Sequence, residues 1–417
     1  VRIVRLAGRG DGVTEDGRYV AMTAPGDLVR PGPGGAELIE AGPARAAPLC
    51  RHYPDCGGCQ LQHVNDAAWS NWMIERIGWV LRGKGLAAAR ILPPHLSPPR
   101  TRRRATLRAI RTAQGIVLGF HGEASHRVID LAECHVLAPP LLALVAPLRR
   151  LLASLLPPGL GGGVTMALAE GGVDLLLSNL SADTPAQAAA LAAFARDHDL
   201  ARLSVEGPGG ISIIAAPRPP QVRLGGVAVR LPPAAFLQAT ADGEAALVAA
   251  VREASAGARR IADLFCGLGT FALPLAAAGA RVLAADAAGP AVEALGAAAR
   301  SAGLPVRTLH RDLFRRPLVP SELAGLDAVV FDPPRAGAKE QAAELARAAV
   351  PRVIAVSCNP ATFARDAALL VAGGYRVGRV WPVGQFRWST HIELVAEFMR
   401  AECNPPLPPP GHITHPA

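Results

Sequence analysis

Cysteines and carboxylates at a few points carry most of the chemistry available to this chain. Cys358 lies in SCNPATFARD, residues 357–366, after the apolar run Val353-Ile354-Ala355-Val356 and before an Asn359-Pro360 turn. That places a cysteine at the carboxyl end of a buried strand, the edge where open α/β sheets bind ligands. As a thiolate it is a nucleophile. A second group follows C-x5-C-x2-C spacing at Cys50, Cys56 and Cys59, with Gly57-Gly58 allowing a tight fold between the last two. Thiolates select soft or borderline metals. Cys134 is the available fourth ligand, and a distant fourth cysteine suits a [4Fe–4S] cluster better than the paired C-x2-C units of zinc sites. His52, His63 and His135 keep a zinc site open. An odd total of seven cysteines argues against a disulfide framework.

The carboxylates need a scaffold, and the second half of the chain supplies one. Residues 261–271 read as a strand, a Gly-rich turn and a helix start. Gly267 and Gly269 let backbone approach a ligand beside the helix N-terminus. The spacing is not G-x-G-x-x-G, which weakens a dinucleotide reading. A second strand, 281–285, ends at Asp286, an acid able to accept hydrogen bonds from a ribose diol. Strand 306–309 leads to Asp312, and strand 329–331 leads to Asp332-Pro333-Pro334-Arg335. Strands alternating with helices, such as 244–255 and 289–302, predict an α/β fold with a doubly wound, mostly parallel sheet. Strands 376–382 and 392–398 would close it as a hairpin with an antiparallel edge strand. Asp263 reads as a structural acid at a strand end, Cys266 as packing and Cys403 as incidental.

The first half has a different texture. Residues 1–46 hold short strands punctuated by glycine, with Asp16-Gly17 as a hairpin signal and 31–35 as a loop. This set resembles a TRAM domain, a small oligonucleotide-binding-like β-barrel. Residues 47–232 read as a central α+β lobe with helices at 64–92, 141–156 and 185–199. Arg100, Arg102, Arg103 and Arg104 put four arginines in five residues, suited to phosphate. The chain carries 43 Lys+Arg against 34 Asp+Glu, a net charge of +9 that favours a polyanionic partner. No apolar run approaches the roughly 20 residues of a membrane span, and no leader pattern opens the sequence. A cytoplasmic location without membrane attachment is expected. The tail 401–417, with PPLPPP, reads as disordered.

Together, CRHYPDCGGCQLQ, FLQAT, DLFCGLGTFALPLA, FDPPRAG, SCNPATFARD and THIELVAEF resemble the RNA 5-methyluridine (uracil-5-) methyltransferase family, in family order and over nearly the whole chain. The cysteine group points to its 23S ribosomal RNA branch. The resemblance implies a class I Rossmann-like methyltransferase domain at 233–400, a TRAM-like barrel at 1–46 and a [4Fe–4S] cluster on Cys50, Cys56, Cys59 and Cys134 in the central lobe. It implies S-adenosylmethionine at Gln238, Phe265, Gly267, Gly269, Thr270, Asp286, Asp312 and Asp332. Cys358 matches the nucleophile that adds to uracil C6, and Glu393 the base that removes the C5 proton. The implied partner is 23S ribosomal RNA in single-stranded or loop form, with the enzyme a monomer. A tRNA enzyme of the same chemistry and a non-catalytic RNA-binding protein are the alternatives. Two departures stand out: Thr270 replaces an asparagine, and GQFRWSTHIE replaces DMFPHT-type residues, which leaves the RNA target open.

Overall fold

The computed structural model describes residues 1–32, 35–180 and 184–400; the expected disordered tail at 401–417, with Cys403, lies outside the described residues. The C-terminal half forms a nine-stranded sheet. Its centre is built from Arg260–Leu264, Arg281–Asp286, Val306–His310, Ala328–Phe331 and Arg352–Ser357, all parallel. Sequences such as AVVF and RVIAVS are apolar without alternation because both sheet faces are covered. One face packs under helices Lys339–Arg347 and Pro360–Ala372, the other under Ala241–Ala254 and Ala272–Ala277. This is the doubly wound, mostly parallel α/β sheet anticipated from the strand–helix alternation.

The closing hairpin is arranged differently from expectation. Its last strand, Glu393–Arg400, does not lie at an edge. It inserts antiparallel between Arg352–Ser357 and Tyr375–Gly384. The edge is finished by two short strands from far upstream, Arg90–Ile91 and His95–Leu96, which run parallel to Tyr375–Gly384. Helix Asp66–Arg82 also packs on this side, burying Trp69, Trp72, Met73, Ile77 and Leu81. It stops at Gly83, short of the 64–92 span expected, and extended backbone at 90–91 takes over. Residues 66–96, assigned to the central lobe from sequence, therefore lean on the C-terminal sheet.

The central lobe is a six-stranded sheet backed by helices Val145–Leu155 and Pro185–Asp197. The latter starts on a Thr184–Gln187 capping box. At the N-terminus, Ile3–Leu6, Gly12–Thr14 and Tyr19–Val20 form one small sheet. Leu28–Gly32 pairs with Gly35–Glu40, so Pro31, Gly32 and Gly35 of the stretch read as a loop are paired strand residues. No helix among the described residues is long and apolar enough to cross a membrane.

One glycine of the ligand turn is required by packing. A Cβ on Gly269 would stand 2.4 Å from Leu295 Cδ1, at a backbone φ of +91°. Gly269→Ala is expected to cost about 1–3 kcal/mol from overpacking and strain. A fall in the urea midpoint without a change in m-value would show it.

Candidate active site

Strand register brings the nucleophile candidate and the carboxylate together. Arg352–Ser357 and Glu393–Arg400 pair antiparallel from Arg352↔Met399 to Ser357↔Leu394. The next pair in that register is Cys358 and Glu393, and directly opposed residues hold their Cβ atoms roughly 5 Å apart. Glu393 is only 6% exposed. Cys358 begins a turn held by its neighbours: Asn359 Oδ1 accepts from Ala361 N–H and caps helix Pro360–Ala372. Asn359 Nδ2 and Thr362 Oγ1 both donate to the Arg335 carbonyl, at 3.1 Å each. These bonds tie the DPPR turn to the cysteine turn.

Two cavities meet at this point. One, of about 620 Å³, is walled by Gln238, Phe265, Gly267, Asp286, Phe314 and Asp332 among others. The second, of about 930 Å³, opens toward Arg9, Arg102, Arg108, Phe120 and His121 of the first half. Both are lined by Phe236, Arg335, Cys358 and Glu393. A ligand in the first and a ligand in the second would face each other across the cysteine. Phe265 holds φ +61°, strained for a residue with a Cβ, at the turn into the first cavity. Asp286 fixes that turn by accepting from Gly267 N–H at 2.9 Å and Ala288 N–H at 2.7 Å.

Of the ten residues expected to hold the cofactor or do the chemistry, Gln238, Phe265, Gly267, Asp286, Asp332, Cys358 and Glu393 line the first cavity. Gly269, Thr270 and Asp312 are not among its lining residues. Asp312 instead accepts from the Phe314 and Arg315 N–H groups, turning the chain so that Leu313 and Phe314 reach the wall. Phe314 and Arg335 were not singled out from sequence. Phe314 lies two residues beyond an expected site acid, and its ring centroid is 5.4 Å from that of Phe265. The arginine run divides. Arg102 lines the second cavity and Arg104 lies 4.9 Å over the Phe236 ring. Arg103 turns inward to a buried ion pair with Glu244 at 2.7 Å.

The electrostatics of the junction are those of crowded, enclosed acids. Burial, then the charge of Asp332, pushes Glu393 up to about 8. Asp332 opens on the cavity but is walled by protein elsewhere; that enclosure and Asp286 push it up to about 7. Burial, then Glu393 and Asp332, pushes the Cys358 thiol up to about 12, with Arg335 opposing. Asp263 is fully buried, with neither carboxyl oxygen hydrogen-bonded, and burial holds it well above the usual carboxylate range.

Cys50, Cys56, Cys59 and Cys134 line one small cavity. Burial raises all four thiols, Cys59 to about 12, so a metal would have to displace their protons. Two of the histidines considered for zinc are engaged elsewhere. His52 Nε2 accepts from Ala132 N–H at 3.0 Å, while His63 pairs with Tyr53 and with the Thr23 carbonyl. Among the described residues, no group of three or more His, Cys, Asp or Glu converges closely enough to hold a metal ion.

Comparison with known proteins places this geometry in a class and then in a family. The fold is that of the tRNA (uracil-54, C5)-methyltransferase of Pyrococcus abyssi, solved with S-adenosyl-L-homocysteine: TM-score 0.73, 24% identity, 95% of this chain and 98% of that one covered. Residues 311–400 match the family model described as tRNA (Uracil-5-)-methyltransferase. An uncharacterized RNA methyltransferase of Brucella suis is 45% identical, covering 95% of this chain and 96% of its own. The 23S rRNA (uracil(1939)-C(5))-methyltransferase RlmD of Bordetella bronchiseptica is 34% identical, covering 87% and 82%. The chain belongs to the RNA uracil-5-methyltransferase family.

The Glu393 shift has a thermodynamic consequence. Its folded value lies above its unfolded one, so its contribution to stability is fully present below about 4.5 and is lost as pH rises through about 8. Glu393→Gln removes that dependence. Its Tm is expected to match the parent's at pH 5 and exceed it at pH 9; a constant difference across that range would contradict the assignment.

Proposed function

We infer that this enzyme methylates C5 of a uridine in RNA, with Cys358 as nucleophile and Glu393 as base, and that its substrate is 23S ribosomal RNA. The observation that carries this reading is the junction of two cavities at Cys358 and Glu393. The first suits the methyl donor, with Asp286 offered to a diol and Phe265 and Phe314 to a flat ring. The second, with its arginines and aromatic rings, suits a polyanion whose target base has left its stack.

The residue types fit the chemistry of a weakly nucleophilic carbon. Cys358 sulfur adds to C6 of the pyrimidine, placing electron density on C5 and the C4 oxygen. The bound methyl donor supplies an electrophilic methyl group, which C5 takes up. Glu393 then removes the C5 proton, the ring double bond re-forms and the C6–S bond breaks. A base near 8 is matched to this task. Burial holds the thiol near 12, so it must lose its proton on substrate binding; Arg335 and a cationic ligand beside Asp332 favour that loss.

The four cysteines fit an iron–sulfur cluster better than zinc. All four line one cavity, and a cluster takes each thiolate at a separate iron. The bound group would brace the loop 50–62 against 120–136. The 34% identity to a 23S enzyme favours ribosomal over transfer RNA. The barrel-like segment 1–46, the lobe 47–232 and the domain 233–400 remain the working division, in a cytoplasmic monomer.

Three outcomes test the reading. Cys358→Ala is expected to abolish methyl transfer from labelled donor to RNA, by at least about 1000-fold. Loss of the gene is expected to remove 5-methyluridine from 23S ribosomal RNA in nucleoside analysis of separated RNAs; loss from transfer RNA alone would reject the substrate assignment. Anaerobically purified protein is expected to be brown and iron-loaded, whereas active, colourless, zinc-loaded protein would reject the cluster.

A further inference from the structure

Behind the junction lies a pair of buried amides that the reaction as described does not use. Gln385 is 2% exposed and Gln238 is 4% exposed. Gln385 sits just past the strand Tyr375–Gly384, in the GQFRWSTHIE stretch where the sequence departs from the family pattern. It does not line the first cavity, but Gln238 does. Gln385 is seated by a missing side chain: a Cβ on Gly243 would stand 2.7 Å from Gln385 Cβ.

Side-chain amides have two ends that are hard to tell apart, so their orientation has to come from their partners. Here one partner is unambiguous. Ala239 N–H is a backbone donor and points at Gln385 at 3.0 Å, so the atom it meets is the Gln385 oxygen. The other end of Gln385 is then its NH2 group, which lies 2.8 Å from the Gln238 side chain. A donor there requires an acceptor, so Gln238 turns its oxygen toward Gln385. Its own NH2 group is left for the cavity. The backbone beneath is pinned as well, since Arg103 donates to the Gln238 carbonyl at 3.2 Å and accepts no freedom from its ion pair with Glu244.

We propose that Gln385 is a positioning residue that locks the Gln238 amide with its nitrogen facing the active cavity, so that the site donates hydrogen bonds to an acceptor oxygen of its ligand. Within the function proposed above, on which this rests, that oxygen belongs either to a carbonyl of the target pyrimidine or to the carboxylate of the methyl donor. A cytosine would offer an amino group where uracil has its C4 carbonyl, and the locked nitrogen would meet a donor with a donor. Gln385 also lies beside the Glu393 carboxyl and moderates its rise, so one side chain orients a ligand-binding amide and neighbours the proposed base.

The informative variant is Gln385→Glu. It keeps an acceptor for Ala239 N–H but offers Gln238 an oxygen in place of a donor, which obliges Gln238 to turn its nitrogen away from the cavity. Methylation is expected to lose about 10–100-fold in kcat/KM, and the rising limb of the pH–rate profile to move upward because a carboxylate replaces the amide beside Glu393. If the weakened step is donor binding, the Kd for S-adenosylhomocysteine rises; if it is base recognition, that Kd holds and the RNA term falls. Orientation is read independently of activity by side-chain amide hydrogen exchange in protein labelled with ¹⁵N-glutamine. In the parent, Gln238 NH2 exchanges quickly through the cavity and Gln385 NH2 slowly; in Gln385→Glu, Gln238 NH2 becomes protected. A protected Gln238 NH2 in the parent, or unchanged kinetics, pH profile and exchange in the variant, overturns the proposal. A parent that exchanges as stated but makes no 5-methyluridine rejects the function and leaves the amide lock standing.

Discussion

The active site depends on one antiparallel pairing in an otherwise parallel neighbourhood. Parallel strands all deliver their carboxyl ends to the same edge of a sheet. Cys358 and Asp332 arrive there in this way, each at the end of a central strand. The carboxylate that faces the cysteine from the next strand comes from a chain running the other way. Glu393–Arg400 does so, bringing its first residue, Glu393, to the edge where its neighbour's last residue has just ended. A register slip of one residue would turn Glu393 to the opposite face of the sheet. Burial of Leu394, Ala396 and Phe398 on one face and Val395 on the other resists that slip.

The same pairing concentrates negative charge in an enclosed place. Burial raises the proton affinity of Asp332, Glu393 and the Cys358 thiol, and neighbouring charge adds to it: Asp286 acts on Asp332, Asp332 on Glu393, and both Glu393 and Asp332 on Cys358. Desolvation makes a carboxylate a better base, and a cationic ligand beside Asp332 relieves the repulsion.

Much of this was legible in the sequence where a local signal carried it. Strands ending in Asp286, Asp332 and Cys358 were visible as short apolar runs followed by a polar residue or a turn. The Gly-rich turn was visible as well. What escaped required knowledge of distant partners. Arg103 looked like part of a phosphate-binding run, and only Glu244, far along the chain, turns it inward. Gly269 looked like a ligand glycine, whereas Leu295 sets its need for space. Asp312 marked the right turn but not the right side chain, since Phe314 is the one delivered to the wall. The place of the last strand was misread as an edge because a hairpin pattern says which strands pair and nothing about what else they touch.

The upstream strands Arg90–Ile91 and His95–Leu96 interleave the two halves of the chain. A protein cut at residue 233 would leave Tyr375–Gly384 as a raw edge, its backbone groups free to recruit another chain. It would also lose the cover that helix Asp66–Arg82 gives to helix Pro360–Ala372. The segment carrying Cys358 thus owes part of its support to residues made some 270 positions earlier. Gene fusion or domain exchange in this lineage would have to move both pieces together.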